Sequence, residues 1–277
     1  MIQELQQILA MNEGERHTYV GQHEVPLLQR MLQHIGDPNS KLRDQLNYRV
    51  FIELLASNTF SQEGLKTVSE ALISDDLLFL NISGGQTDSV FTRTFTTLWL
   101  TGILHVDARL RFIEEDKLTE IFTRSSRYFL QENDVRGFVD EARGWAHSMA
   151  HGADLMEAII RHPKFDFRFA PFILQGLKEA FWKGSVYIDD EEERFAKIID
   201  ALISVEFNEE VLIEWVEQTF DKLEAYLYQE GYTPAWFKAR TNTLHFMKTL
   251  YFTVKFRNKY DKLRGVTSIF IQKWMKM

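Results

Sequence analysis

Two histidines and an aspartate in the middle of the chain have a spacing that is compatible with metal binding or acid–base catalysis. His147 and His151 are four residues apart, and Asp154 follows three residues later. On an α-helix this spacing places the three side chains on one face, with Arg143 one turn earlier. Such a face can bind Zn²⁺ or Fe²⁺, or supply a general acid and base. The alternatives are a pocket that binds a ligand and a buried hydrogen-bond network with no ligand.

The metal alternative meets constraints in the sequence itself. A zincin helix needs Glu directly after its first His, and this chain has Ser148 there. A di-iron site needs several His-Glu dipeptides, and we noted one, at His23 and Glu24. Because one helix can hardly place three ligands at ~2 Å from a metal, a metal-dependent hydrolase would need a further carboxylate, such as Asp88 or Asp134.

Further charged residues stand where helices are expected to begin. Asp88 precedes Arg93, and Asp134 precedes Arg136. Each pair is explained either by a helix N-cap with an ion pair or by a binding site. If helical repeats stack, these helix starts would line one concave surface with the histidines, where arginines could bind a small anionic ligand or a peptide. The candidate ligand-binding residues are therefore Asp88, Arg93, Asp134, Arg136, Arg143, Trp145, His147, His151 and Asp154.

Helical periodicity dominates the elements that must position these residues. Apolar residues recur at steps of three and four, as at Leu42, Leu46 and Val50, and we found no run of alternating strand pattern. Related Asp-containing helix starts recur at about 50 residues, close to the repeat of HEAT arrays. We predict an all-α fold of stacked helical hairpins, a HEAT-like α-solenoid; the alternative is a compact, non-repetitive helical domain. We expect one domain, 1–277, with a basic helical cap from about 231.

The composition excludes several classes of protein. The chain of 277 residues has no cysteine, which excludes a disulfide scaffold and a cysteine nucleophile. Hydrophobic residues make up 45%, too many for a disordered chain. No apolar stretch approaches the ~20 residues of a membrane span, and the first residues do not resemble a signal peptide. We therefore expect a cytoplasmic protein without membrane association.

Charge is unevenly distributed. Residues 231–277 carry ten Lys and Arg against one acid, whereas the whole chain has a formal charge of −8. Lys248, Lys255, Lys259 and Lys262 would form one stripe on a long C-terminal helix, which could bind a polyanion. The alternative is a terminal hairpin whose lysines are solvated or face the acidic body. The overall charge argues against nucleic acid as the partner.

Four segments together resemble a known family. They are Ser74–Phe79, Thr87–Phe95, Asp134–Val139 and Gly144–Asp154, and they resemble the bacterial domain of unknown function 2785. The likeness covers roughly residues 37 to 205. It implies a mainly helical protein and carries no activity, cofactor or residue role. It directs attention to the same candidate residues, Arg143 excepted.

Overall fold

The helices predicted from periodicity are present in the computed structural model, which describes residues 1–276. The all-α prediction is confirmed, with one addition: a small antiparallel hairpin of two strands. Within the described part of the chain, no helix combines the length and the apolar character that crossing a membrane would need. Contacts divide the chain into two compact units, Met1–Lys164 and Phe165–Met277. The single-domain organisation stays a prediction.

The first unit consists of eight α-helices, a π-helix and the hairpin. In chain order these are α1 (Ile2–Ala10), α2 (Glu13–Gln33), the π-helix (Lys41–Tyr48), α3 (Arg49–Ala56), α4 (Gln62–Leu72), α5 (Ser89–Leu110), α6 (Glu115–Ser125), α7 (Tyr128–Gln131), β1 (Phe138–Asp140), β2 (Gly144–Trp145) and α8 (Ser148–Arg161). The strands pair Phe138 with Trp145 and Asp140 with Gly144, with an irregular register between the two pairs. Alternation over strands of three and two residues is too short to stand out in a sequence.

The second unit is helical throughout its described part. It contains a 3₁₀ turn (Phe167–Phe169), α9 (Ala170–Ala180), α10 (Glu191–Ser204), α11 (Glu209–Glu230), α12 (Pro234–Arg257) and α13 (Asp261–Met275). Thr233 accepts a hydrogen bond from the Trp236 amide and Pro234 follows it, as expected for an N-cap residue with proline at the first helical position. Asp190 followed by Glu193 suggests a capping box in the sequence, but Asp190 adopts a left-handed conformation (φ 64°) and its side chain makes no capping hydrogen bond.

Within each unit, helices that are distant in sequence lie side by side and run in the same direction. In the first unit, Lys66 on α4 contacts Glu114 before α6, 48 residues away, and Arg124 near the end of α6 reaches the Ile73 carbonyl after α4, 51 residues away. In the second, the Tyr187 amide before α10 contacts Asn242 on α12, 55 residues away. Near their ends, α10 and α12 are joined by an ion pair 57 residues apart. Nearly constant separations at both ends require parallel neighbours.

The long C-terminal helix that was expected to carry four lysines, α12, has a buried apolar face but does not carry the whole lysine stripe. Trp236, Met247 and Val254 of α12 are all buried. The helix ends at Arg257, and Asn258 turns the chain in a left-handed conformation (φ 52°). Lys262 therefore lies on α13, where it forms an ion pair with Glu210 at 2.7 Å. The continuous four-lysine stripe on one helix is wrong because the helix stops between its members.

Candidate functional site

The helix that was expected to carry both histidines begins one residue after the first of them. His147 precedes α8 and adopts a left-handed conformation (φ 53°), uncommon for a residue with a side chain. Arg143 lies in the turn of the hairpin. The prediction that Arg143, His147, His151 and Asp154 share a helix face is therefore wrong for the first two. His151 and Asp154 do share it, and His151 Nδ1 lies 3.2 Å from Asp154 Oδ2.

The hairpin is closed by Asp140. Its carboxylate accepts hydrogen bonds from the amides of Ala142 and Arg143, and Arg143 Nε lies 2.8 Å from Asp140 Oδ2. Hydrogen bonds from the Arg143 side chain, and then from its amide, hold the pKa of Asp140 below its usual range. The other end of the hairpin continues as backbone pairing, since the Ala146 amide donates to the Gly137 carbonyl at 2.8 Å.

Arg143 also joins the hairpin to the start of α5. Its Nη1 lies 2.9 Å from Asp88 Oδ1. Asp88 stands at the N-cap position of α5, but its side chain makes no capping hydrogen bond. Arg93 pairs with Glu132 and not with Asp88. Arg143 thus has two carboxylate partners within the protein, which leaves it poorly suited to bind an anion.

Arg93 lies in the interior rather than on a binding surface. Its guanidinium forms a two-pronged ion pair with Glu132, at 2.6 and 2.8 Å, and both side chains are fully buried. Glu132 also accepts hydrogen bonds from the Tyr128 hydroxyl and from the amides of Asn133 and Asp134. The donors to this carboxylate therefore belong to the protein itself, and the paired, buried Arg93 is not available to bind a ligand.

Asp134 and Arg136 pair with each other. Arg136 Nε and Nη2 lie 2.8 and 2.6 Å from the Asp134 carboxylate, which is almost fully buried. Arg136 Nη2 also donates to the Thr87 carbonyl at 2.8 Å, and the Ser148 hydroxyl donates to the Asp134 carbonyl. These bonds connect both ends of the hairpin segment to α5 and α8.

Arg43, which was not among the candidate site residues, is hydrogen-bonded to the hairpin. It is fully buried, it donates to the carbonyls of Asp37 and Arg143 at 2.9 and 2.6 Å, and its guanidinium lies 4.1 Å from the centre of the Phe91 ring. Burial lowers its pKa, while the charge of Asp44 opposes that change. An arginine on an apolar helix pattern could have suggested a buried role, but its partners come from distant segments.

Four rings lie in succession on the hairpin and at the start of α8. We call them the ring row: Phe138, Trp145, His147 and His151. Their centres are 5.1, 4.3 and 5.7 Å apart in that order. Phe138 and Trp145 are 46% and 44% exposed, whereas the two histidines are half-buried. Exposed aromatic rings held in a fixed position are typical of interfaces.

Two residues of the π-helix stand beside the histidine end of the ring row. Burial raises the pKa of Asp44, and the charges of Arg43 and of a protonated His151 oppose this. Burial also raises the pKa of Tyr48, and the Asp154 carboxylate adds to that effect. Asp44 and Tyr48 are thus close enough to act electrostatically on His151 and Asp154. Neither residue was among the candidates from the sequence, because a π-helix has no simple sequence pattern. π-Helical turns often occur at functional sites.

The arrangement offers hydrogen bonding, carboxylate charge and ring surface, but not a metal centre. Among residues 1–276, no group of three or more His, Asp or Glu side chains is arranged to hold a metal ion. The metal-dependent hydrolase therefore gains no support from the geometry. The His151–Asp154 pair could hold or transfer a proton, and the exposed rings favour recognition of a ligand.

Comparison with known proteins identifies the family and nothing more. The family model described as "Protein of unknown function (DUF2785)" matches residues 78–252, from within the connection between α4 and α5 into α12. No curated protein and no solved structure matches the chain. The match includes the hairpin, the ring row and most of the second unit. The chain belongs to the DUF2785 family of proteins of unknown function.

Proposed function

We propose that this protein is a binding module whose ring row takes a peptide segment. The observation that carries the proposal is the contrast between a firmly held hairpin and the exposed rings upon it. Three arginines, Arg43, Arg136 and Arg143, fix the hairpin segment through carbonyls and carboxylates. Trp145 and Phe138 nevertheless remain nearly half exposed. A rigid aromatic surface binds at a low entropic cost because it is already ordered before the ligand arrives.

The charges around the ring row favour a basic side chain in that segment. The arginines expected to bind an anion have carboxylate partners within the protein. Asp154, which lies 3.2 Å from His151, attracts a cation instead, whereas Asp44 is already paired with Arg43 at 2.8 Å. A guanidinium stacked on the Trp145 ring would gain a cation–π contact of roughly 0.5–1 kcal/mol at such an exposed site. Of a small anion and a peptide, we therefore propose the peptide.

We further propose the finer architecture and location that the sequence predicted. Parallel neighbouring helices at separations of 48 to 57 residues support a HEAT-like array of helical hairpins. In such arrays equivalent helix starts share one surface, which agrees with a ligand site at the start of α5 and α8. A cytoplasmic location also stays part of this proposal.

The test uses Nα-acetyl-arginine amide as the probe and isothermal titration calorimetry as the measurement. We expect saturable binding to the full chain that is lost in Trp145→Leu and weakened in Asp154→Asn. Phe172→Leu is the matched control, since Phe172 is exposed to a similar degree but lies on α9. Binding of Nα-acetyl-glutamate or phosphate in place of the arginine derivative, or equal binding by the Trp145 variant, would contradict the proposal.

A further inference from the structure

The second unit contains a groove of its own. It runs between the parallel helices α10 and α12 and has a volume of about 670 Å³. Its α12 wall is formed by Thr249, Phe252, Thr253, Phe256 and Arg257, spaced at three and four residues as one helix face. Eight residues of helix correspond to a length of about 12 Å. The groove is therefore long enough for two turns of another helix.

Two phenylalanines project from the α12 wall instead of packing into the core. Phe256 is 80% exposed and Phe252 is 49% exposed, and their rings stack with centres 6.1 Å apart. Adjacent exposed large rings beside a groove mark a surface for association with another molecule.

The charges at the groove define the partner. Asp200 on the α10 wall is neutralised by Arg257 through two hydrogen bonds of 2.5 Å, and Glu193 is offset by Lys197 on the same wall. Lys248 and Lys255 lie one turn on either side of Phe252 and are exposed. Neither forms an ion pair with a carboxylate of residues 1–276, and Lys255 Nζ lies 5.8 Å from the Phe252 ring. The rim is therefore basic, with Lys259 following the helix end.

We propose that this groove binds an acidic amphipathic helix of a partner protein. The apolar face of that helix would cover Phe252 and Phe256, and its Asp and Glu side chains would pair with Lys248 and Lys255. Recognition of this kind uses apolar anchors at i, i+3 or i+4, and i+7. Single-stranded nucleic acid is the alternative occupant, and the oligothymidylate arm of the experiment tests it.

The test begins with a displayed library of random 16-residue peptides selected against the full-length protein. We expect enrichment of sequences that place apolar residues at helical spacing with Asp and Glu between them. The most enriched peptide, labelled with fluorescein, is then titrated with the protein and followed by anisotropy. Phe252→Ser/Phe256→Ser should weaken its binding at least about 10-fold, since interface anchors of this kind dominate affinity. Lys248→Glu/Lys255→Glu should weaken it as well, and added salt should do the same.

Phe237→Ser is the matched control, because Phe237 also lies on α12 and is half exposed but does not line the groove. It should leave peptide binding unchanged. Far-UV circular dichroism of all variants checks that they fold. The proposal is overturned if no acidic sequences are enriched or if the enriched peptide binds the Phe252/Phe256 variant equally well. Tighter binding of a labelled 20-residue oligothymidylate, or concentration-dependent dimerisation that blocks the peptide, would overturn it in favour of those occupants.

Discussion

Replacement of Arg93 by Met should destabilise the first unit more than any surface ion pair could. The change removes the two hydrogen bonds that join the buried Arg93 guanidinium to Glu132, at 2.6 and 2.8 Å. Each charge-assisted hydrogen bond is worth about 1.5–3 kcal/mol, so two bonds give about 3–6 kcal/mol. Breaking one partner of a buried ion pair typically costs about 3–5 kcal/mol, which agrees with that figure. We expect a loss of that size in the free energy of unfolding.

The assay is urea unfolding followed by far-UV circular dichroism, with Arg49→Met as the matched control. Arg49 forms an ion pair with Glu53 at 2.8 Å, but its side chain is 62% exposed. The same substitution should cost less than about 0.5 kcal/mol there, because solvent screens the charges. Equal losses in the two variants would refute the reasoning that burial gives the Arg93 pair its value.

Three further perturbations have expected outcomes. Gly152→Ala should destabilise the protein by about 1–3 kcal/mol, since an added Cβ would lie 2.7 Å from the Phe129 ring. The control Gly265→Ala, on α13, places its Cβ in open space and should be neutral or stabilising by up to about 1 kcal/mol. If urea unfolding shows Gly265→Ala to be the more destabilising change, the packing around Gly152 is contradicted. Thr233→Ala should cost about 1 kcal/mol in the same assay through loss of the α12 cap, and no measurable loss would count against it. Because the pKa of Asp140 is lowered, its contribution to the hairpin is present above the unfolded pKa of about 3.9 and is lost as the pH falls through the folded value. The fluorescence of Trp145, obtained as the difference from Trp145→Phe, should therefore change below about pH 4. A change in this fluorescence near neutral pH instead would be evidence against this role of Asp140.

The sequence predicted helices better than it predicted partners, for a physical reason. Apolar spacing along α12 and the Thr233-Pro234 start are local, and both agree with the structure. His162 before Pro163 likewise ends α8, as the restriction on the residue before proline predicts. Local patterns report local conformation reliably when burial and capping favour the same result.

Pairing between charged residues depends on which segments meet, and no local pattern contains that information. Asp88, five residues before Arg93, is its nearest carboxylate in the sequence, but Arg93 pairs with Glu132, 39 residues away. Arg43 was not among the candidate site residues, although it contacts carbonyls about 100 residues further along. The hairpin was missed because two strands of three and two residues carry almost no periodic signal. The histidine spacing drew attention to this cluster, but the geometry of the cluster depends on the hairpin and not on one helix.

The most direct test of the ring row as a binding surface is an NMR titration of the tryptophan indole N–H signals with Nα-acetyl-arginine amide. The chain has six tryptophans, and the buried Trp99, Trp215, Trp236 and Trp274 serve as internal references. We predict a saturable shift of the Trp145 signal while those of the buried tryptophans stay in place. A Trp145 signal that does not move, or a uniform movement of all indole signals, would contradict the assignment of this surface to ligand binding.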